Sequence, residues 1–363
     1  MVHLLLMYEF FAVAFSAFLT WHYPVSGIVS IVLGIIFFIA FNGLFVVMTC
    51  THLSFFWAKE VTLFFSFSLA AVSYLTLLFI VNDFLLFIPA YGKLFFSYKL
   101  YVISVLSIVA MIIGLYAVWN TQNIRVQHYQ LSSDKNTSAR IVFLSDLHIS
   151  PHNMSVVKLQ GIFFILKTLK PDYVILGGDI IEMRPDYFME RSIIGAFRDF
   201  NTQNTVLAVV GNHEYYGGQI HDNVSAMEQA GIIVLKDAVR IVPEHNIAFI
   251  GRDDRTNSHR LTLNSLMKDI PENVYKIVID HNPHSISETL ETSADLQLSG
   301  HTHAGQIFPF NLLVKYLFDN EYGHKKFGKL DTIVSSGAGV WGPHIRIGTN
   351  NEITVIDINK DKF

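Results

Sequence analysis

RIVFLSDLH, Arg140 to His148, reads as a short buried strand that runs straight into two ligand-type side chains. The β-branched and aromatic run Arg140 to Leu144 favours a strand. Asp146 and His148 lie one residue apart, so in extended backbone a carboxylate and an imidazole point to the same side. The pattern repeats down the chain. Tyr173 to Leu176 precedes Gly177-Gly178-Asp179, and Val206 to Val210 precedes Gly211-Asn212-His213-Glu214. Tyr275 to Ile279 precedes Asp280-His281-Asn282-Pro283-His284, and Ala294 to Leu298 precedes Gly300-His301-Thr302-His303. Further strands are expected at Asn123 to Leu131, Ile247 to Ile250, Thr332 to Ser335 and Ile353 to Ile356. Helices are expected at Met154 to Leu169, Ser192 to Phe200, Val224 to Ala230 and Leu261 to Asp269. Such an alternation predicts an α/β layered domain, in which loops at the carboxyl ends of strands carry side chains to one point.

Each segment alone has an ordinary reading. An Asp-x-His can be a solvated loop, Gly-Gly-Asp and Gly-Asn are common turns after strands, and a His-x-His can be coincidence. Together they supply carboxylate, amide and imidazole groups and no thiolate, enough for two neighbouring cations. Asp179 has two oxygens with which to bridge two ions, and the glycine pair before it lets backbone come close. Asn212 offers a neutral oxygen, His213 a titratable side chain, and His281, His301 and His303 further nitrogens. Nitrogen and oxygen ligands suit two divalent metal ions such as Mn, Fe, Zn, Co or Mg; the histidine share favours a transition ion over Mg, and manganese is the expected metal. Such a pair of cations neutralises a phosphoryl group and makes hydroxide available near neutral pH.

The front of the chain differs in kind. The 363 residues are 51% hydrophobic and 15% charged, and up to Asn120 the only charged side chains are Glu9, Lys59, Glu60, Asp83, Lys93 and Lys99. Leu4 to Thr20, Val25 to Thr49, Val61 to Val81 and Leu100 to Trp119 have the length that a bilayer core of about 30 Å demands. Trp21, Tyr23, Trp57, Tyr91, Tyr98, Tyr101 and Trp119 lie where aromatic belts form. Four spans are therefore expected over residues 1–120, ahead of a domain over 121–363. Phe84 to Phe96, broken by Pro89 and Gly92, reads as an interfacial or re-entrant piece. An even number of spans places Lys59, Arg125 and Lys135 on one side, which points to a cytoplasmic catalytic domain. The single cysteine, Cys50, leaves no disulfide to build. The net charge of −4 arises after residue 120, and no basic run suggests nucleic acid.

The five motifs resemble those of the calcineurin-like metallophosphoesterase superfamily. The ending GHTHAGQIFPF, the stretch Ser335 to Ile353 and the turn Gly251 to Asp254 are similar to the bacterial YkuE- and YaeI-type phosphohydrolases. The resemblance covers Asn123 to the C-terminus and implies an αββα sandwich behind the helical transmembrane domain. It implies one metal held by Asp146, His148 and His303, another by Asn212, His281 and His301, Asp179 bridging both, and His213 acting as a proton or hydrogen-bond donor to phosphate.

Arg252, Arg255, His344 and Arg346 are candidates for substrate contact, since arginine forks match phosphate oxygens. Glu214 reads as a partner of a histidine ligand. His152 and His284 fall outside the pattern. Asn311 to Asn320 is apolar in stretches; a core-packed helix, a substrate flank and a membrane-surface segment all remain open. The expected activity is hydrolysis of a lipid-linked phosphoester or pyrophosphate at a bacterial inner (cytoplasmic) membrane. The specific reading is UDP-2,3-diacylglucosamine converted to UMP and 2,3-diacylglucosamine 1-phosphate. The alternatives are another phospholipid, an isoprenoid pyrophosphate or a soluble phosphoester. A transporter or sensor with a regulatory phosphatase-like domain fits less well, because the spans hold no run of polar groups.

Overall fold

Side-chain alternation along the strands decides the layering of the C-terminal part. In the computed structural model, which describes Val2–Thr49 and Ala58–Lys360, the chain divides into two compact units. One comprises Met1–Gln122 with Gly342–Ile345, the other Asn123–Trp341 with Arg346–Phe363. Cys50 and Trp57 lie outside the described residues.

The second unit carries twelve strands. They are β1 (Ile124–Ser133), β2 (Ala139–Leu144), β3 (Tyr173–Gly177), β4 (Val206–Val209), β5 (Ile233–Val234), β6 (Ala238–Val242), β7 (Ile247–Gly251), β8 (Tyr275–Ile279), β9 (Leu296–Ser299), β10 (Gly323–Phe327), β11 (Leu330–Val334) and β12 (Asn351–Lys360). Two six-stranded sheets form, in the orders β1-β12-β2-β3-β4-β5 and β10-β11-β9-β8-β7-β6. β2, β3, β4 and β5 run parallel, as do β7, β8, β9 and β11.

Ile141, Phe143, Ile175, Leu207 and Val209 of the first sheet meet Phe249, Ile277, Ile279, Leu296 and Leu298 of the second in one core. The intervening residues Val142, Leu144, Val174, Leu176 and Ala208 face the other way. They pack on the helices Val156–Leu169, Arg191–Asn201 and Ile220–Gln229 through Leu159, Ile162, Phe197 and Met227. On the far side of the second sheet, Ala248, Ile250 and Val278 pack on Leu263, Met267 and Ile270. The result is helices, sheet, sheet and a thinner helical layer, with the motif loops at the carboxyl ends of the parallel strands.

Three strands escaped the sequence reading. β5 is two residues long, and β6 and β10 are edge strands, the latter reading GHKKF without an apolar run. The helix expected at Leu261 to Asp269 shortens to Leu263–Met267. Asn311 to Asn320 forms the helix Phe310–Leu317, and none of its residues is buried, so it is not core-packed.

The first unit contains helices Val2–His22, Ile28–Thr49, Ala58–Leu85, Pro89–Ser97 and Lys99–Asn120. Pro89 opens the fourth helix, and nine residues are too few to cross a bilayer. Leu19, Phe37, Phe79 and Ile103 face inward, while Ile31, Phe64, Ile108 and Leu115 are exposed, so apolar side chains cover both interior and exterior. Gly114 permits close approach, since a Cβ there would lie 3.1 Å from the Ala71 methyl carbon. Among the described residues, two helices, Lys59–Leu85 and Lys99–Asn120, have the length and composition of a crossing, where four spans were expected. Only 33% and 22% of their apolar windows are buried, whereas a core helix of a soluble domain would be buried nearly throughout. Ile28–Gly43 is a shorter apolar stretch, and Leu4 to Thr20 lies within the first helix.

Candidate metal centre

Five loops converge above the sheets. Ligand-type atoms of Asp146, His148 and His303 lie within 4.8 Å of one another, as do those of Asp179, His281 and His301. A third such group, His148, Asp179 and His213, joins the first two. In the first cluster His148 Nε2 faces His303 Nε2 at 3.1 Å, and His303 Nε2 lies 3.4 Å from Asp146 Oδ1. In the second, His281 Nε2 is 3.1 Å from Asp179 Oδ2, and His301 Nδ1 is 2.9 Å from Asn212 Oδ1. Asp179 Oδ2 is also 4.0 Å from His148 Nε2, which places its carboxylate between the two clusters.

The backbone is bent to make this arrangement. Asp146, His148, Asp179, His301 and His303 all lie at positive φ, between 45° and 70°. Non-glycine residues hold that region at a cost of about 1 to 3 kcal/mol each, and such outliers gather at functional sites. Glycines take the tightest places. A Cβ on Gly178, itself at φ 89°, would fall 2.7 Å from His281 Nδ1, and one on Gly211 would fall 2.8 Å from His281 Cδ2.

Second partners orient the imidazoles. His281 Nδ1 donates to Gly177 O at 2.8 Å, which aims Nε2 inward, where it is buried without an aligned hydrogen bond. Backbone N–H of His301 donates to both oxygens of Asp146, and Ser145 Oγ donates to one of them. Among the described hydrogen bonds, Glu214 accepts from backbone rather than from the imidazole expected. Its carboxylate accepts from the backbone N–H of Asp179, Ile180, Ile181 and Gly211 at 2.6 to 3.1 Å, tying two motif loops together. Burial and the neighbouring Asp179 push its pKa up to about 7, while the four donors favour the anion.

Sequence reading missed Glu182. Its two oxygens accept from His148 Nδ1 at 2.6 Å and from His213 Nδ1 at 2.9 Å. The only signal was a carboxylate three residues beyond Asp179; the parallel bridge between Ile149 and Ile181 is what brings it to His148. Burial opposes its ionisation, but the two imidazoles hold it down to about 2. Burial likewise opposes charge on His213, yet Glu182 and Asp179 leave its pKa above the ordinary value.

The same balance runs through the cluster. Burial would raise the Asp179 carboxyl, but His281, His148 and His213 hold it far below the usual range. Burial and the charge on His281 push His301 down to about 4, and burial with His148 and Arg346 lowers His303 well below the ordinary value. His281 is raised by Asp179 despite its burial, a proton there balancing the buried carboxylate. Converging carboxylate oxygens, the His301 and His303 imidazoles with their lowered pKa, and a His281 Nε2 that faces Asp179 fit divalent cations.

Three of the four expected substrate contacts are engaged elsewhere. Arg346 is buried, with Nη1 donating to Asn350 O and Nη2 to Ser336 O and Gly339 O, and Nη2 lies 3.3 Å from His303 Nδ1. Burial lowers its pKa to about 10, which still leaves a cation behind the first cluster. Arg252 is buried and paired with Glu288 at 3.1 Å. These guanidinium donors meet acceptors inside the protein. His344 is buried in the first unit, its backbone N–H donating to Ser66 Oγ at 3.0 Å. Arg255 is exposed and near His284, whose pKa is lowered by burial and by that guanidinium.

Residues 139–305, which contain all five motifs, match the model of the calcineurin-like phosphoesterase family. An uncharacterized metallophosphoesterase of Campylobacter jejuni is 29% identical over 274 residues, covering 74% of this chain and 71% of the relative. The Bacillus subtilis metallophosphoesterase YkuE is 26% identical over 228 residues, covering 60% of this chain and 78% of its own. A Danio rerio transmembrane protein with metallophosphoesterase domain is 28% identical over 231 residues, covering 60% of this chain and 52% of its own.

Proposed function

We propose, on the premise that this chain belongs to the calcineurin-like metallophosphoesterase superfamily and is a metal-dependent phosphoester hydrolase, that it is anchored in a membrane and cleaves a phosphoester or pyrophosphate held at the membrane surface. One observation carries the membrane reading. Only Thr121, Gln122 and Asn123 separate the apolar helix Lys99–Asn120 from β1. Three residues reach about 10 Å at most, so a domain that follows a crossing helix so closely stays beside the bilayer. A substrate confined to that bilayer then meets the site at high effective concentration.

In this reading Asp146, His148 and His303 would hold one ion and Asn212, His281 and His301 the other, with Asp179 shared between the two sets. Bound there, the ions supply charge neutralisation and hydroxide near neutral pH, with manganese the preferred metal. His213 gives a proton to the departing oxygen. Glu182 favours the charged form of that imidazole and orients it, and by its other oxygen orients His148. The protein belongs to a bacterial inner membrane in this proposal, with the domain on the cytoplasmic side that Lys59, Arg125 and Lys135 favour.

The first substrate to assay is UDP-2,3-diacylglucosamine, with the purified full chain and manganese and with UMP release as readout. Turnover of bis(p-nitrophenyl) phosphate with no release of UMP would remove that lipid. Failure on phospholipids and isoprenoid pyrophosphates as well would leave a soluble phosphoester as the substrate.

Glu182→Gln tests the proton donor. Glu182 raises the His213 pKa, so its removal lets His213 lose its proton at lower pH, and the alkaline limb of the pH–rate profile moves down. kcat falls roughly 10- to 100-fold, as for other partners that orient ligands, with both ions still bound. An unmoved alkaline limb would show that His213 is not the titrating donor.

A further inference from the structure

The helix Phe310–Leu317 carries Phe310, Leu312, Leu313, Tyr316 and Leu317 with relative exposures of 59%, 53%, 56%, 90% and 55%. Apolar helices of this domain otherwise bury a face, as Arg191–Asn201 does through Ile193, Ile194, Phe197 and Phe200. This one is nevertheless held rigidly. Before it, Gln306 exchanges two hydrogen bonds with the Trp341 backbone, at 2.9 and 3.0 Å, and Phe308 N–H donates to Ile347 O. After it, the Asn320 amide donates to Gly323 O and to Thr332 Oγ1.

Both flanks touch the metal centre. The helix begins five residues past the turn His303–Gly305, where Asn311 lies so close to Gly305 that no side chain would fit there. Just past its end, the Phe318 ring stacks on His284 at 4.3 Å and lies 6.3 Å from His301. Trp341, 53% exposed, lies 6.3 Å from the His213 ring. Large apolar and aromatic side chains therefore rim a polar, cation-type site.

We propose that this helix and Trp341 form an interfacial lip that inserts shallowly into the bilayer surface and presents headgroup phosphates to the metal centre. The inference rests on the membrane-anchored reading above and adds to it a named contact. Aromatic and long aliphatic side chains beside a lysine, here Lys315, are the composition of helices that lie in the headgroup region. Only Thr121 to Asn123 link the Lys99–Asn120 helix to β1, so a bilayer crossed by that helix lies within reach of the domain that carries the lip. A second copy of the chain is the weaker occupant. Eight residues make a helix about 12 Å long and about 10 Å wide, a footprint of roughly 120 Å² against the roughly 800 Å² per partner that a stable protein interface buries.

The test uses the full chain with Cys50→Ser, one copy per nanodisc, in three parts phosphatidylcholine to one part phosphatidylglycerol. Leu313→Cys, Tyr316→Cys and, as a control, the exposed Lys268→Cys are each labelled with bimane. Replacing the phosphatidylcholine by its dibrominated form should quench the probes at 313 and 316 by about twofold or more and leave that at 268 unchanged. Equal emission in both lipids at 313 and 316 overturns the lip. Shielding from aqueous iodide that needs two copies per disc and no bromine would overturn it in favour of self-association. Hydrolysis of bis(p-nitrophenyl) phosphate by the unlabelled chain is measured separately, so that failure of the phosphoesterase reading is told apart from failure of the lip.

Discussion

Asp179→Ala should leave a folded protein that holds fewer ions and hydrolyses bis(p-nitrophenyl) phosphate at least about 10³-fold more slowly, roughly 4 kcal/mol of lost barrier reduction. The expectation follows from position. One carboxylate oxygen lies 3.1 Å from His281 Nε2 and 4.0 Å from His148 Nε2, while the other accepts the His213 backbone N–H at 2.8 Å. No other carboxylate among the described residues joins both ligand clusters. Truncation would therefore remove the shared anion that offsets the mutual repulsion of two cations held by the facing imidazoles. The loop itself should persist, because Glu214 grips it through the backbone N–H of Asp179, Ile180 and Ile181, which Ala retains. Metal analysis, circular dichroism and kcat on the same sample separate these effects. Full activity with two ions bound would overturn the assignment of the bridge.

His213→Ala should behave differently. It loses about 10²- to 10³-fold in kcat, the usual scale for a positioned proton donor, while the metal content stays at the wild-type value. The size of the loss depends on the leaving group. p-Nitrophenolate departs readily without a proton, whereas an alkoxide needs one, so the variant should be hurt more on alkyl phosphodiesters than on nitrophenyl ones. A loss that is equal on both, with ions released, would make His213 a ligand instead, a role its place in the third cluster leaves open to test.

The parts of the site that were legible share one property: each follows a short apolar strand whose end is visible in the sequence. Asp146, Asp179, Asn212, His281 and His303 lie immediately beyond such runs, and the structure gathers them. Glu182 was not legible, because its link to His148 depends on Ile149 pairing with Ile181 across two loops. The arginines show a related limit. A guanidinium in sequence does not reveal its acceptors, and Arg346 and Arg252 spend theirs on carbonyls and on Glu288. The helix at 310–317 shows the limit of hydrophobic patterning, since an apolar run predicts a helix but not whether protein covers it.

Glu214 is hydrogen-bonded to backbone rather than to ligand side chains, yet it fixes the frame in which they stand. By holding Gly211 with Asp179, Ile180 and Ile181, it makes the spacing between the third and second motif loops a property of the backbone rather than of whatever the loops bind. A cradle of set width accepts ions of similar radius without rebuilding itself, and selection among them passes to ligand chemistry and to supply. One scaffold can thus change its reactivity by exchanging its inorganic content, with no change of sequence.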